Sequence, residues 1–181
     1  MTAPQTRAKS AAPVHPALRP YAALLAGVDR ASKYTLIALM AVMVAVVSTQ
    51  VLLRYVFNSS IDWADELSRL TFVWSVFLAI PLGIREGLHV GVELLTTRLP
   101  AKIQDILVRS MAAAGAVMMA VVCWQSVVIA WDQWDEKMSS LPMSAAMFVI
   151  ALVVGAAHSA LWLAWLTLTG KPESTGMVAI E

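Results

Sequence analysis

Four long stretches without a charged residue constrain the fold of this 181-residue chain more than any other feature. They cover residues 34–53, 70–84, 110–131 and the sequence between Lys137 and Lys171. About 20 helical residues cross the roughly 30 Å hydrocarbon core of a bilayer. The first and third stretches have this length, the second reaches it if its helix begins near Asp65, and the fourth exceeds it. The sequence therefore predicts an all-α integral membrane protein with four transmembrane helices.

Composition supports this class, because 59% of the residues are hydrophobic and only 14% are charged. We expect a four-helix membrane domain over residues 21–170, with spans at about 34–56, 65–84, 107–131 and 142–168. Pro142, after two serines, is typical of the first turn of a helix. Residues 1–20 lack the apolar core of a signal peptide and are expected to form a disordered cytoplasmic tail, with a second short cytoplasmic tail at 171–181.

The distribution of lysine and arginine predicts the orientation, because these residues are retained on the cytoplasmic side of a membrane. Ten of them fall in the N-terminal tail, the middle loop and the C-terminus, against three in the other two loops. Each of these two groups of segments also contains six acids. The net charge is therefore +4 for the N-terminal tail, the middle loop and the C-terminus, and −3 for the other two loops. Both termini are therefore predicted to be cytoplasmic.

Two shorter segments have the spacing of amphipathic helices that lie at a membrane surface. The first precedes span one and places Tyr21, Leu24, Leu25 and Val28 on one face. The second lies between spans two and three, places Leu88, Val92, Leu95 and Leu99 on one face, and ends at Pro100. The second helix could lie on lipid headgroups, or its apolar face could dock on a partner.

The span interiors hold few polar groups, which limits the chemistry that the chain can perform. These groups are Gln50, Gln125 and His158, and we expect them to form hydrogen bonds between helices rather than an ion or proton relay. No carboxylate lies in the middle of a span, which argues against a proton-coupled exporter. One cysteine and three scattered histidines exclude a disulfide framework and predict no metal site. We therefore expect no catalytic residue and no cofactor.

A haem-bearing membrane anchor of a respiratory enzyme is the alternative that we considered, because four-helix membrane proteins can hold haem between two histidines. His89 lies beyond the inner end of span two. His158 lies about ten residues, or roughly 15 Å, above the inner end of span four. This difference in depth disfavours a haem held within one subunit.

Small residues and tryptophans predict how the spans pack. Four-residue spacing of small residues lets helix backbones approach closely, and it occurs at Ala112, Ala116 and Ala120, at Ala151, Gly155 and Ser159, and at Ala156, Ala160 and Ala164. Tryptophan favours the headgroup boundary, where we expect Trp63, Trp131 and Trp134 on the outer side and Trp162 and Trp165 on the inner side. Trp74 and Trp124 fall deeper and are expected to be packing residues.

The hairpin between spans one and two carries an unusual number of charges. Arg54 opposes the charge bias at the outer end of span one, and the acids Asp62, Asp65 and Glu66 follow within a short loop. We expect Arg54 to pair with one of these acids and Arg69 to pair one turn away on its own helix. Exposed pairs contribute at most about 1 kcal/mol each. A surface recognised by another protein is therefore the alternative to a purely stabilising cluster.

An ordered set of residues in and after this hairpin resembles a known family. The set is Arg54-Tyr55-Val56-Phe57-Asn58, then Trp63, Glu66-Leu67 and Arg69, then Arg85 with "GLHVGVELL" through His89, Val90 and Leu95, ending at Pro100. It is similar to the signature of the small permease subunits of tripartite ATP-independent periplasmic (TRAP) transporters, the DctQ-like family, over about residues 20–170. One departure is Pro81 in the inner half of span two, where small residues are expected; its predicted effect is a kink.

The resemblance implies a non-catalytic scaffold subunit of a sodium-coupled, binding-protein-dependent importer of an organic acid, such as a dicarboxylate, sialic acid or keto acid. Its implied partners are a large multi-span permease subunit, a periplasmic substrate-binding protein and membrane lipid, with no nucleic acid. The residues expected to serve the partner interface are Arg54, Tyr55, Asp62, Trp63, Glu66 and Arg69 in the outer hairpin, and Arg85 and His89 at the inner boundary.

Overall fold

The computed structural model describes residues 18–85 and 101–169, which form four long helices. They are α1 (Arg19–Val56), α2 (Asp62–Arg85), α3 (Ala101–Asp132) and α4 (Ala146–Thr169). Each is long and apolar enough to cross a membrane, which confirms the predicted all-α fold with four spans. The predicted helix between spans two and three, the C-terminal tail and most of the N-terminal tail lie outside the described residues. We call the end with the α1–α2 and α3–α4 connections the outer end, following the predicted orientation.

The four helices form an open row in the order α1, α2, α4, α3, and the first part of α1 also contacts α4 at the inner end. α1 packs on α2, α2 on α4, and α4 on α3, whereas no comparable contact joins α1 to α3 in the described ranges. In the most apolar 18 residues of each helix, the buried share is 28% for α2 and 44% for α4, against 0% for α1 and 6% for α3. α1 and α3 are therefore the edges of the row, and their apolar faces are covered by lipid or by another protein.

α1 is much longer than a membrane crossing requires. Its 38 residues extend about 57 Å at a rise of about 1.5 Å per residue. The short helix expected before span one is the first part of this single helix and is continuous with the span. Its buried residues are Leu25, Asp29 and Ser32, which repeat at the spacing of one helical face. That face contacts the inner half of α4.

Asn58 explains where α1 ends. Its φ of 47° lies in the left-handed region, which asparagine tolerates better than other residues with a β-carbon. The turn lets the Ser59 N–H reach back to the Leu53 carbonyl at 3.2 Å, beside the Phe57 N–H at 3.0 Å. Carbonyl groups at the last turn of a helix need such donors. The turn directs the chain into the outer hairpin.

The contact between α2 and α4 is unusually close at Gly155. A β-carbon added there would lie 2.6 Å from the Phe77 carbonyl oxygen, which no real side chain tolerates. Ala151 and Ser159, one turn to either side, are each 1% exposed. The expected packing role of this ridge is confirmed, and its partner is α2 of the same chain. The Trp74 indole N–H donates to the Met147 carbonyl at 3.1 Å across the same interface, so the packing role predicted for Trp74 is also confirmed.

α2 is one continuous helix, and α4 begins later than the sequence predicted. α2 continues for four residues past Pro81, to Arg85, and the proline ring is fully buried. α4 begins at Ala146 rather than near Pro142. The Ala146 N–H donates to the Ser144 hydroxyl at 3.1 Å, and hydroxyl acceptors of this kind favour a helix start. Residues 133–145 therefore form a compact outer loop between α3 and α4.

Candidate functional site

A buried carboxylate joins three helices near the inner end of the molecule. Asp29 of α1 is 4% exposed. Its Oδ1 accepts hydrogen bonds at 2.8 Å from His158 Nε2 and at 2.8 Å from Trp162 Nε1, both on α4. Its Oδ2 lies 3.5 Å from Arg85 Nη1, at the end of α2. We call Asp29, Ser32, Arg85, His158 and Trp162 the Asp29 cluster.

The protonation of one histidine nitrogen follows from this geometry. An ionised carboxylate only accepts hydrogen bonds, so His158 Nε2 carries the hydrogen in its bond to Asp29 Oδ1. His158 Nδ1 lies 3.3 Å from the Ser32 hydroxyl of α1, which can donate to a neutral ring or accept from a charged one. Both ring nitrogens therefore have hydrogen-bond partners within the chain. This arrangement fits the hydrogen-bonding role expected for His158.

Arg85 supplies the positive charge that a buried carboxylate needs. Its side chain is 30% exposed while that of Asp29 is 5% exposed, so the guanidinium extends from the boundary into the cluster. Removing one partner of a buried ion pair leaves an uncompensated charge at a cost of about 3 to 5 kcal/mol. The partner role expected for Arg85 stays a prediction, and the structure shows that Arg85 ties the end of α2 to α1.

An aromatic core supports the cluster from the inner side. Leu25, Trp162 and Trp165 pack together. The Tyr21 ring stacks on Trp165 with centroids 5.5 Å apart, and its hydroxyl donates to the Leu161 carbonyl at 2.6 Å. Trp162 and Trp165 are 6% and 1% exposed, so their rings contact the protein interior rather than lipid headgroups. The first part of α1 covers them because it packs along α4.

The outer end has a second polar contact that joins distant parts of the chain. The Glu66 carboxylate of α2 accepts three backbone N–H groups of the outer loop, from Ser139 at 3.0 Å, Ser140 at 2.7 Å and Leu141 at 2.9 Å. Three converging amides form a site suited to a negative charge. Glu66 thus holds the α3–α4 loop against the start of α2.

The ion pairs expected in the outer hairpin are not formed. Asp65 instead accepts a hydrogen bond from Gln50 Nε2 of α1 at 3.0 Å, and Glu66 is directed at the outer loop. The ion pairs of the described ranges join Asp29 to Arg85 and His158, and Asp105 to Arg109. Arg54 and Arg69 are exposed and have no carboxylate partner in this part of the chain.

The other hairpin residues singled out in the sequence form an exposed outer surface. Tyr55, Asp62 and Trp63 are all exposed. Trp63 also borders an apolar hollow of about 150 Å³ between α1 and α2, which is lined by Ala45, Val46, Thr49, Ile61, Trp63 and Ala64. We call Arg54, Tyr55, Asp62, Trp63 and Arg69 the outer surface. His89 lies outside the described residues.

Sequence reasoning missed Asp29 because it counted this residue among the charges of the cytoplasmic side. A signal was present, since Asp29 follows directly on the apolar residues Tyr21, Leu25 and Val28 of one helical face. An acid beside such a face needs a buried partner, and His158 was the ionisable residue within a span.

Among the described residues, no group of three or more metal-ligating side chains is found.

The fold and these contacts define a multi-pass membrane protein in which polar groups at the inner end join the protein's own helices. The sequence profile described as "Tripartite ATP-independent periplasmic transporters, DctQ component" matches residues 43–169. The chain belongs to this family of small permease subunits.

Individual relatives agree with the family. The chain is 31% identical to a TRAP transporter small permease protein of Haemophilus influenzae over 140 residues, which cover 74% of this chain and 84% of the relative. It is 26% identical to the C4-dicarboxylate TRAP transporter small permease protein DctQ of Vibrio cholerae, over 59% of this chain and 44% of the relative. It is 25% identical to the isethionate TRAP transporter permease protein DctMQ of Oleidesulfovibrio alaskensis, over 66% of this chain and 20% of the relative.

Proposed function

We propose that this chain is the non-catalytic scaffold subunit of a sodium-coupled, binding-protein-dependent importer of an organic acid in the bacterial inner membrane. In this role it associates with the large permease subunit, which carries the substrate and sodium. The observation that carries the proposal is family membership across residues 43–169. Relatives named for C4-dicarboxylate, sialic acid and isethionate all take small organic anions, which supports this substrate class.

The contacts of the polar groups support a scaffold role rather than a transport path. Asp29 and His158 are bound to each other, and Gln50 is bound to Asp65. A substrate or sodium path at membrane depth needs polar groups whose partners can be exchanged for a solute. Asp29, His158 and Gln50 instead pair across the protein's own helices, so these contacts tie α1 to α4 and to α2.

The relatives support the large permease as partner. In DctMQ of Oleidesulfovibrio alaskensis, the region that matches this chain is 20% of one longer permease protein. In the sialic acid TRAP transporter permease protein SiaT of Haemophilus influenzae, a 55-residue match at 40% identity is 9% of the relative. Joining two regions in one polypeptide keeps them at a high effective concentration. We infer the same association, between separate chains, for the present protein.

The outer surface is the part of the molecule that we assign to docking of the periplasmic substrate-binding protein. Its charged residues are exposed, and they lack ion-pair partners in the described ranges. Charged groups at the rim of an interface chiefly set the association rate and specificity. We therefore expect this surface to affect uptake at low concentrations of binding protein more than at saturation.

Reconstitution tests the proposed function. The chain should co-purify with the large permease when the two are expressed together. Liposomes containing both subunits and the binding protein should accumulate the organic acid only with an inward sodium gradient. Liposomes that contain this chain alone should accumulate none. Uptake of substrate by this chain alone, or a failure of the two subunits to co-purify, would overturn the proposal.

A further inference from the structure

α3 exposes a continuous apolar stripe along one edge of the row. Residues separated by three and four positions lie on one helical face, and this stripe consists of Val117, Val121, Trp124, Val128 and Trp131. Trp124 is 71% exposed, although its depth in the span predicted a packing role. The packing predicted for Trp124 is therefore not made by the described part of this chain. We call these five residues the α3 stripe.

Gln125, beside the stripe, is a polar group without a hydrogen-bond partner among the residues that the structure describes. It is exposed, and its amide makes no hydrogen bond within the described ranges. It lies seven residues before the end of α3 at Asp132, which is about 10 Å along the helix. The exposed Ser110 differs, because its hydroxyl donates to the Leu107 carbonyl at 2.9 Å. An unpaired amide facing hydrocarbon is costly, so Gln125 is suited to a polar group on a neighbouring helix.

The α1 edge has no comparable group. Its amide residue, Gln50, already donates to Asp65. Ser48 and Thr49 carry hydroxyls, which can rotate to bond the carbonyl one turn back on their own helix. A glutamine amide cannot satisfy its two donors in this way. The Gln125 amide, which has no hydrogen-bond partner in the described ranges, therefore distinguishes α3 from α1.

We propose that the outer half of the α3 stripe packs on a transmembrane helix of the large permease subunit, with Gln125 forming a hydrogen bond to that helix. The inference rests on the proposed function and adds which surface of this chain contacts the permease. Trp124 and Gln125 lie within a candidate membrane span, which favours a membrane-embedded partner over a soluble one. In DctMQ, a region that matches this chain is part of one longer permease protein, which favours the permease over a second copy of this chain.

Photocrosslinking tests the contact directly. A photoreactive amino acid replaces either Trp124 or, as the control, Val44, which is 57% exposed on α1. The full chain is expressed with the large permease and irradiated in membranes. We expect an adduct with the permease from position 124 and none from position 44. A permease adduct from position 44 alone, an adduct between two copies of this chain, or lipid adducts alone at position 124 would overturn the inference.

Substitution provides a second measurement. Interhelical hydrogen bonds in membranes are worth about 0.6 to 2 kcal/mol, so Gln125→Leu should reduce the co-purified permease by about threefold or more. The thermal stability of the isolated chain should not fall, because Gln125 bonds to no other residue in the described ranges. Unchanged co-purification of the Gln125→Leu variant would contradict the contact. Failure of the unmodified chain to co-purify would instead contradict the proposed function.

Discussion

Asp29 and His158 are 129 positions apart in the chain, yet a 2.8 Å hydrogen bond joins them in the interior of the protein. Asp29→Ala removes the shared acceptor of His158 and Trp162 and the counter-ion of Arg85. Because buried donors would lose their acceptor, we expect a loss of about 3 to 5 kcal/mol of stability. This loss of stability is measured as a lower thermal unfolding midpoint of the variant in detergent. Asp29→Asn keeps one acceptor oxygen and should lose less.

Asp105→Ala is the matched control for this experiment. Asp105 is also an acid paired with an arginine, Arg109 at 3.0 Å, but both side chains are about half exposed. Exposed pairs at this helical spacing contribute about 0.3 to 0.5 kcal/mol. The midpoint should barely change. Equal midpoints for Asp29→Ala and Asp105→Ala would show that the Asp29 cluster does not stabilise the helix row.

Glu66→Gln should loosen the outer loop. A glutamine side chain has one acceptor oxygen, and its amino group would face backbone N–H groups that Glu66 now accepts. We therefore expect hydrogen–deuterium exchange of the amides at Ser139, Ser140 and Leu141 to accelerate several-fold. Asp62→Asn, at an exposed position on the same helix, is the control and should leave their exchange unchanged. Unchanged exchange in both variants would mean that the loop is held by its own backbone bonds.

Gly155→Ala should destabilise the protein, because the added β-carbon would lie 2.6 Å from the Phe77 carbonyl oxygen. Forcing extra volume into a packed contact costs about 1 to 3 kcal/mol. Gly27→Ala provides the comparison, since nothing lies within 4 Å of a β-carbon there. Alanine favours a helix over glycine by up to about 1 kcal/mol, so Gly27→Ala should be neutral or stabilising. The thermal midpoints should therefore move in opposite directions or differ clearly.

The four spans and the close packing at Gly155 could be predicted because they follow from local patterns. Span length depends on uncharged runs, and close approach depends on small residues at fixed spacing. The order of the helices could not be predicted, because small-residue ridges do not say which helix they meet. Gly155 was assigned correctly to packing, but its partner Phe77 became known only from the structure.

The Asp29 cluster shows where local reasoning fails. Charge counting treats every acid near a terminus as solvated, and Asp29 is near the N-terminus. Whether an acid is buried depends on which helix covers it, and that is a long-range property of the chain. The same limit explains Arg54, for which proximity in sequence suggested an acidic partner. Gln50 and the outer loop bind the acids instead.

Arg54→Ala tests whether the outer surface serves a partner. Arg54 is exposed and has no ion pair in the described ranges, so its removal should leave the unfolding midpoint of the isolated subunit unchanged. In the complete transporter, we expect Arg54→Ala to reduce complex yield or uptake more than Arg98→Ala does. Uptake is measured at limiting and saturating concentrations of binding protein, and a docking role predicts a larger loss at the limiting concentration, because rim charges act on association. Equal and negligible effects of the two variants would assign Arg54 to contact with lipid headgroups.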